Sequence, residues 1–259
     1  MNVQLCADGG IPLVEIEPGF DVHEMVSIQH EFQRRLGKWD DRIYVPLPGQ
    51  RINVLPMYSR QDVVLHSIDM AIQEASEAWD MLEGGWKHHK KNPKMPDINE
   101  LIMEIVDVIA FSINAFLFSG GRSDRDLFKA QFNVRTGMEI PTTIQDIWKS
   151  SVDHAAREAV YGHGDGAHGP DWVKTVAADV NAMRSDLFTL AATIRSARST
   201  SRKMRDPQHF PSSPAAVYLG AVIPAIASAS RIPGCDPEVL YCAFHHKVSI
   251  NNSRQDAGY

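Results

Sequence analysis

Apolar residues recur along most of this chain at three- and four-residue intervals, the spacing of helices with one buried face. After Asp21, the positions Val22, Met25, Val26, Ile28, Phe32 and Leu36 keep that spacing, and Asp21 with Glu24 has the form of a capping box. A helix is predicted there to about Leu36. A longer one runs from Ser59 to about Glu83, with Val64, Leu65, Ile68, Ile72, Ala75, Trp79 and Leu82 inward and Gly84–Gly85 as its stop. Asp97 is the expected N-cap of a third helix, stopped by Gly120 and Gly121. Further helices are predicted over Ser123 to Arg135, Thr142 to Tyr161, Asp171 to Ser196, Pro214 to Ser230, and from Asp236 to about Ile250. Residues 1–20 read as an irregular arm, 37–59 and 162–170 (GHGDGAHGP) as loops, and ARSTSRKMRDPQHFPSSP as a basic, polar hinge. No stretch alternates apolar and polar residues long enough for a strand. The expected fold is all-α, a multi-helix bundle of roughly seven or eight helices in one domain over 1–259.

The third helix departs from the one-faced pattern. Leu101 to Phe118, LIMEIVDVIAFSINAFLF, is apolar almost all round, so it is expected to be buried. Glu104 and Asp107 lie inside it, three residues apart and so on one face. A carboxylate buried alone must neutralise, pair with a cation or bind a metal. Glu74 and Glu77 have the same spacing on the preceding helix. An E-x-x-E pair is by itself most often a solvated face. Two such helices side by side, however, put four carboxylates into one pocket, a cage for a hard divalent ion such as Mg²⁺. The run also has about the ~20-residue length of a membrane span, but two acids one turn apart, with Asn114 beyond them, argue against that.

Composition narrows the classes. The chain has 259 residues, 44% hydrophobic and 22% charged, which suits a globular protein. A net charge of −6 gives no basic excess for polymeric nucleic acid. Three cysteines, Cys6, Cys235 and Cys242, make neither a disulfide framework nor a zinc spacing. With no basic patch followed by an apolar core at the N-terminus, a cytoplasmic setting is expected, or a host's cytoplasm for a viral protein. There is no P-loop.

Cations that could meet those acids lie near the end of the chain. Lys247, Asn251 and Arg254 share a helical face, and Gln255 and Tyr259 are close behind. Lysine and arginine facing four carboxylates through Mg²⁺ would suit a polyphosphate. A solvated helix end, where basic residues complement the dipole, is the plainer reading of the tail taken alone.

The motifs QEASEAWDML, WKHHKK and ELIMEIVDVIAFS together resemble the core of the dimeric, all-α dUTPases, relatives of the MazG-type nucleotide pyrophosphatases. EVLYCAFHHKVSINNSRQDAGY is similar to that family's closing motif, and SIQHEFQRRL to its first helix. The resemblance covers the first helix, about 60–120 and about 235–259; residues 122–234 match only in helical character. It implies Mg²⁺, or Mn²⁺, held by Glu74, Glu77, Glu104 and Asp107. Glu74, or failing it Glu77, would activate the attacking water. Lys87, Lys90, Lys247 and Arg254 would hold phosphates. Gln29 (Gln33 as the alternative), Phe111, Asn251 and Tyr259 would lie near base and sugar. The implied activity is hydrolysis of dUTP, and of dUDP, to dUMP by attack at the α-phosphate, in a homodimer with no membrane partner.

Two departures bear on base selectivity. His89 stands where the family often has a second tryptophan, and Ala110–Phe111 where it tends to have His-Phe. Loss of a hydrogen-bonding side chain from a base pocket shifts discrimination strongly. The same chemistry on dCTP, a modified pyrimidine or a purine dNTP stays open, as does a non-catalytic helical nucleotide-binding or regulatory protein.

Overall fold

The Ile98–Phe118 segment forms a 21-residue helix that most of the other elements pack against. The computed structural model describes residues 21–38, 57–86, 95–133, 140–151, 171–204 and 213–258. They form α1 (Val22–Arg35), α2 (Met57–Trp86), α3 (Ile98–Phe118), α4 (Arg125–Asn133), α5 (144–151), α6 (Asp171–Met204), α7 (Pro214–Ala229) and α8 (Pro237–Asp256). The fold is all-α: among the described residues there is no strand, only an isolated bridge between Asp21 and Thr143. The predicted arm at 1–20, most of the loops at 37–59 and 162–170, the Thr142–Tyr161 helix beyond Ser151, and the hinge at 205–212 lie outside the described residues.

α2 packs along α3 on one side and α6 on the other, while α1, α7 and α8 close around the rest of α3. The buried hydrophobic side chains make one continuous cluster that draws on all eight helices. α3 is long and apolar enough to cross a membrane, but most of its apolar surface is inside the protein. Each large apolar side chain so buried stabilises by roughly 1.5–3 kcal/mol relative to exposure.

Several helix ends follow the sequence. Asp97 caps α3, accepting hydrogen bonds from the Asn99 and Glu100 amides at 2.8 and 3.2 Å. α3 stops in a Schellman turn: Gly120, at φ 102°, donates to the Leu117 carbonyl, and Gly121 to that of Phe116. A Cβ at Gly121 would come 2.4 Å from the Phe116 ring, so the position needs glycine for space as well. Asp236 caps α8 through the Val239 amide.

Other ends differ from the expectation. α2 runs through Gly84–Gly85 to Trp86; interior glycines cost a helix only about 1 kcal/mol each. α6 continues to Met204, into the expected hinge, which contains no breaker before Pro207. α8 reaches Asp256 rather than Ile250, because neither proline nor glycine interrupts NNSRQD. Asp21 stands at the N-cap of α1 without a side-chain cap bond. Its carboxylate goes instead to Arg125, at 2.9 Å, and His23, at 3.4 Å, tying α1 to α4. Within α7, a π turn over Tyr218–Val222 precedes Pro224, accommodating the N–H that proline lacks and its clash with the carbonyl of Gly220.

Candidate metal centre and flanking groups

α3 is not buried on every side, as its composition suggests. Along its first half one stripe stays partly open: Met103, Glu104, Asp107, Ala110 and Phe111. Both acids lie on that stripe, one helical turn apart. α2 faces it. Ala71, Ala75 and Ala78 of α2 are fully buried, and such short side chains let two helices approach closely. Glu74 and Glu77 flank Ala75 and Ala78, so the close approach brings their carboxyls to α3.

The result is a cluster of three. One carboxylate oxygen from each of Glu74, Glu77 and Glu104 lies within 4.8 Å of the others. Glu74 and Glu104 are half-buried; Glu77 is exposed and accepts a hydrogen bond from Gln73 Nε2 at 3.3 Å. Burial, then the charges of Asp107, Glu77 and Glu104, pushes the Glu74 carboxyl up to about 7. Glu104 is raised too, by burial first and then by Asp107 and Glu77; the nearby Lys247 charge and a hydrogen bond with Glu74 act against the shift. These acids repel one another more than the protein's own cations relieve. Carboxylate oxygens so arranged could hold a divalent ion.

Asp107 has a different partner. Its Oδ2 sits 2.5 Å from Lys247 Nζ of α8, with the side chains 14% and 21% exposed. Burial raises its carboxyl, opposed by the Lys247 hydrogen bond and charge and by the charge of Arg254. Arg254 is itself exposed, one turn beyond the half-buried Asn251. The structure thus brings Lys247 to the acidic stripe, with Arg254 near enough for its charge to act on Asp107.

Further along the same stripe, Asn114 of α3 is buried and accepts a hydrogen bond at 2.9 Å from Nε2 of Gln29, also buried, on α1. Gln33, one turn on, is buried as well. Phe111 is half-buried between this amide pair and the acids. Lys87, His89, Lys90 and Tyr259 lie outside the described residues.

No family model, curated protein or solved structure matches this chain. The resemblance to the dimeric dUTPases therefore rests on the motifs alone.

Three features escaped the sequence reading. Asn114 stands out as polar in an apolar helix, but nothing in the sequence pairs it with Gln29; its spacing from Asp107, seven residues, places it on the same face. The Tyr241 hydroxyl donates to Glu24 Oε2 at 3.1 Å. Arg35 donates to Asn252 Oδ1 at 2.9 Å and to Asp256 Oδ1 at 3.0 Å. Together these two contacts hold α8 to α1 near both of its ends. No local pattern announces either, because each joins residues 217 or more positions apart.

Proposed function

We propose that this protein is a Mg²⁺-dependent deoxynucleoside triphosphate pyrophosphohydrolase, with dUTP as its foremost substrate and dUDP as a second. The observation that carries the reading is the convergence of Glu74, Glu77 and Glu104 beside an acid already paired with Lys247. The motif resemblance supplies the substrate class.

Glu74, Glu77, Glu104 and Asp107 would hold the ion. When bound, Mg²⁺ neutralises phosphate charge and makes a water nucleophilic near neutral pH. The protein's own groups do the rest. Glu74, half-buried in the cluster, takes the proton of the water that attacks the α-phosphate. Lys247 and Arg254, with Lys87 and Lys90 of the WKHHKK motif, take the charge that develops on the departing pyrophosphate. Gln29, Phe111, Asn251 and Tyr259 hold base and sugar. Phe111, one turn beyond Asp107, is the last open position of the stripe, so the nucleoside end of a nucleotide would meet α3 there. The products are dUMP and pyrophosphate, or orthophosphate from dUDP.

One observation favours a broader base pocket. Ala110 occupies the stripe where a histidine would offer a hydrogen bond, which leaves room for a modified pyrimidine or for dCTP. A panel of dNTPs and NTPs with Mg²⁺, scored for pyrophosphate against orthophosphate, tests the proposal. Pyrophosphate from dUTP supports it; a preference for dCTP or a purine moves the substrate within the same chemistry. No release from any triphosphate leaves a nucleotide-binding protein without turnover.

A further inference from the structure

We propose that Met70 is a specificity-determining residue: across the groove between α2 and α3 it faces Phe111, and the two side chains bound a slot that admits the base by its size. The inference rests on the nucleotide reading above. It assigns the α2 wall of the base site, to which that reading gives no residue.

Met70, Glu74 and Glu77 stand at i, i+4 and i+7 on α2 and so share one face. The acid cluster fixes how that face meets α3. After burial, the charge of Asp107 acts most strongly on Glu74. After burial and Asp107, it is Glu77 that acts on Glu104. Glu74 is therefore the α2 acid towards Asp107 and Glu77 the one towards Glu104, so α2 runs along α3 in the opposite sense. Met70 lies one turn before Glu74 and Phe111 one turn beyond Asp107, each a step of about 6 Å. The two side chains are thus level with each other, at the end of the stripe where a nucleoside would meet α3.

Met70 has the burial of a wall without the packing of a core residue. It is half-buried, yet among the described residues it is not one of the side chains that pack on the core cluster. Met81, eleven positions on along the same face, does pack there, as do Ala110 and Phe111. Neither a thioether chain nor a phenyl ring donates a hydrogen bond, and Ala110 beside them has none to give. Such walls read the size of a base and not its pattern of donors and acceptors. In an apolar pocket one methylene of misfit changes selection by about 10–200-fold. Methionine, unbranched and polarisable, also follows the edge of a flat ring closely. The slot therefore separates pyrimidines from the larger purines and leaves uracil against cytosine to polar groups elsewhere in the site.

The test uses the full-length protein with Mg²⁺. Met70→Ala should raise KM for dUTP about tenfold with a smaller change in kcat. It should also raise kcat/KM for dATP relative to dUTP about tenfold, because the slot widens. Met70→Leu refills most of the volume and should return both values to within about threefold of the wild type. A second readout needs no turnover. In protein whose methionines carry ¹³C at the ε-methyl, the signal missing from Met70→Leu should shift on adding dUMP and stay in place on adding pyrophosphate. With dUTP cleaved, an unchanged dATP-to-dUTP ratio in Met70→Ala overturns the inference. A Met70 methyl signal that dUMP leaves in place, or a wild type that cleaves dATP as readily as dUTP, also overturns it. A wild type that cleaves no triphosphate and shows no shift with dUMP loses the nucleotide reading, and this inference with it.

Discussion

The two halves of α3 share one backbone and are surrounded differently. From Leu101 to Phe111 the helix keeps an open stripe and uses it for acids. From Ser112 to Ser119 every residue is buried. There Phe116 packs edge-on against Phe128 at 5.8 Å and stacks on Phe132 at 6.4 Å, and Tyr218 of α7 completes the aromatic group. The first half carries a cluster of acids of which Asp107 is paired with Lys247; the second carries close packing with no charged group. On the proposed function, the first half tolerates local repulsion for the sake of catalysis, and the adjoining core supplies the stability that allows it.

Substitutions in the two halves should separate activity from stability. The largest effect falls in the first. Glu104→Gln should lower pyrophosphate release by about 10²–10³-fold or more, with the fold retained. The metal-free variant should also melt higher than the wild type, because one repelling charge is gone. A variant with near-native turnover refutes the role of Glu104.

Phe116→Ala should do the reverse. It should cost about 3–5 kcal/mol in denaturant unfolding while kcat per folded molecule stays near native. Gly121→Ala, which pushes a methyl into the same ring, should cost about 1–3 kcal/mol. In the Phe116→Ala background that cost should shrink, since the clashing ring is absent.

The acidic half also sets a pH dependence. The Glu74 carboxyl is raised from 4.5 to about 7, and Glu104 and Asp107 shift the same way. The folded state therefore keeps protons that the unfolded chain has released. Stability from these groups is complete below about pH 4.5 and is lost as pH rises through 7. The melting temperature of the metal-free protein should carry that loss, and Glu74→Gln should flatten it. Added Mg²⁺ should offset it at the high end, because the ion binds the deprotonated acids. A melting temperature whose pH dependence is the same in Glu74→Gln would count against the cluster.

The smallest effect marks the start of the helix. Asp97→Ala removes the cap ahead of the acidic half and should cost about 1 kcal/mol in denaturant unfolding, with activity little changed.

Much of this contrast was legible in the sequence. Helical spacing and the absence of alternation gave the all-α class, and the Asp97 cap and Gly120–Gly121 stop bounded α3. The acids stood out because their neighbours are apolar. The direct pairing of Asp107 with Lys247 was not legible, since it depends on side-chain reach between helices distant in the chain. The open stripe was hidden too: composition says that α3 is apolar all round, and only the placement of its neighbours decides which face they leave uncovered. Gly84–Gly85 misled because a glycine pair allows a helix to end without forcing it. The C-terminal extension of α8 lies beyond the last apolar residue, Ile250, where apolar spacing no longer marks a helix although no breaker stops it.

The most direct test of the account is dUTP hydrolysis in ¹⁸O-labelled water, with Mg²⁺ and with EDTA. The account predicts Mg²⁺-dependent turnover that places the label on dUMP and leaves pyrophosphate unlabelled. Label in pyrophosphate or orthophosphate, turnover that survives EDTA, or no turnover with Mg²⁺ would contradict it.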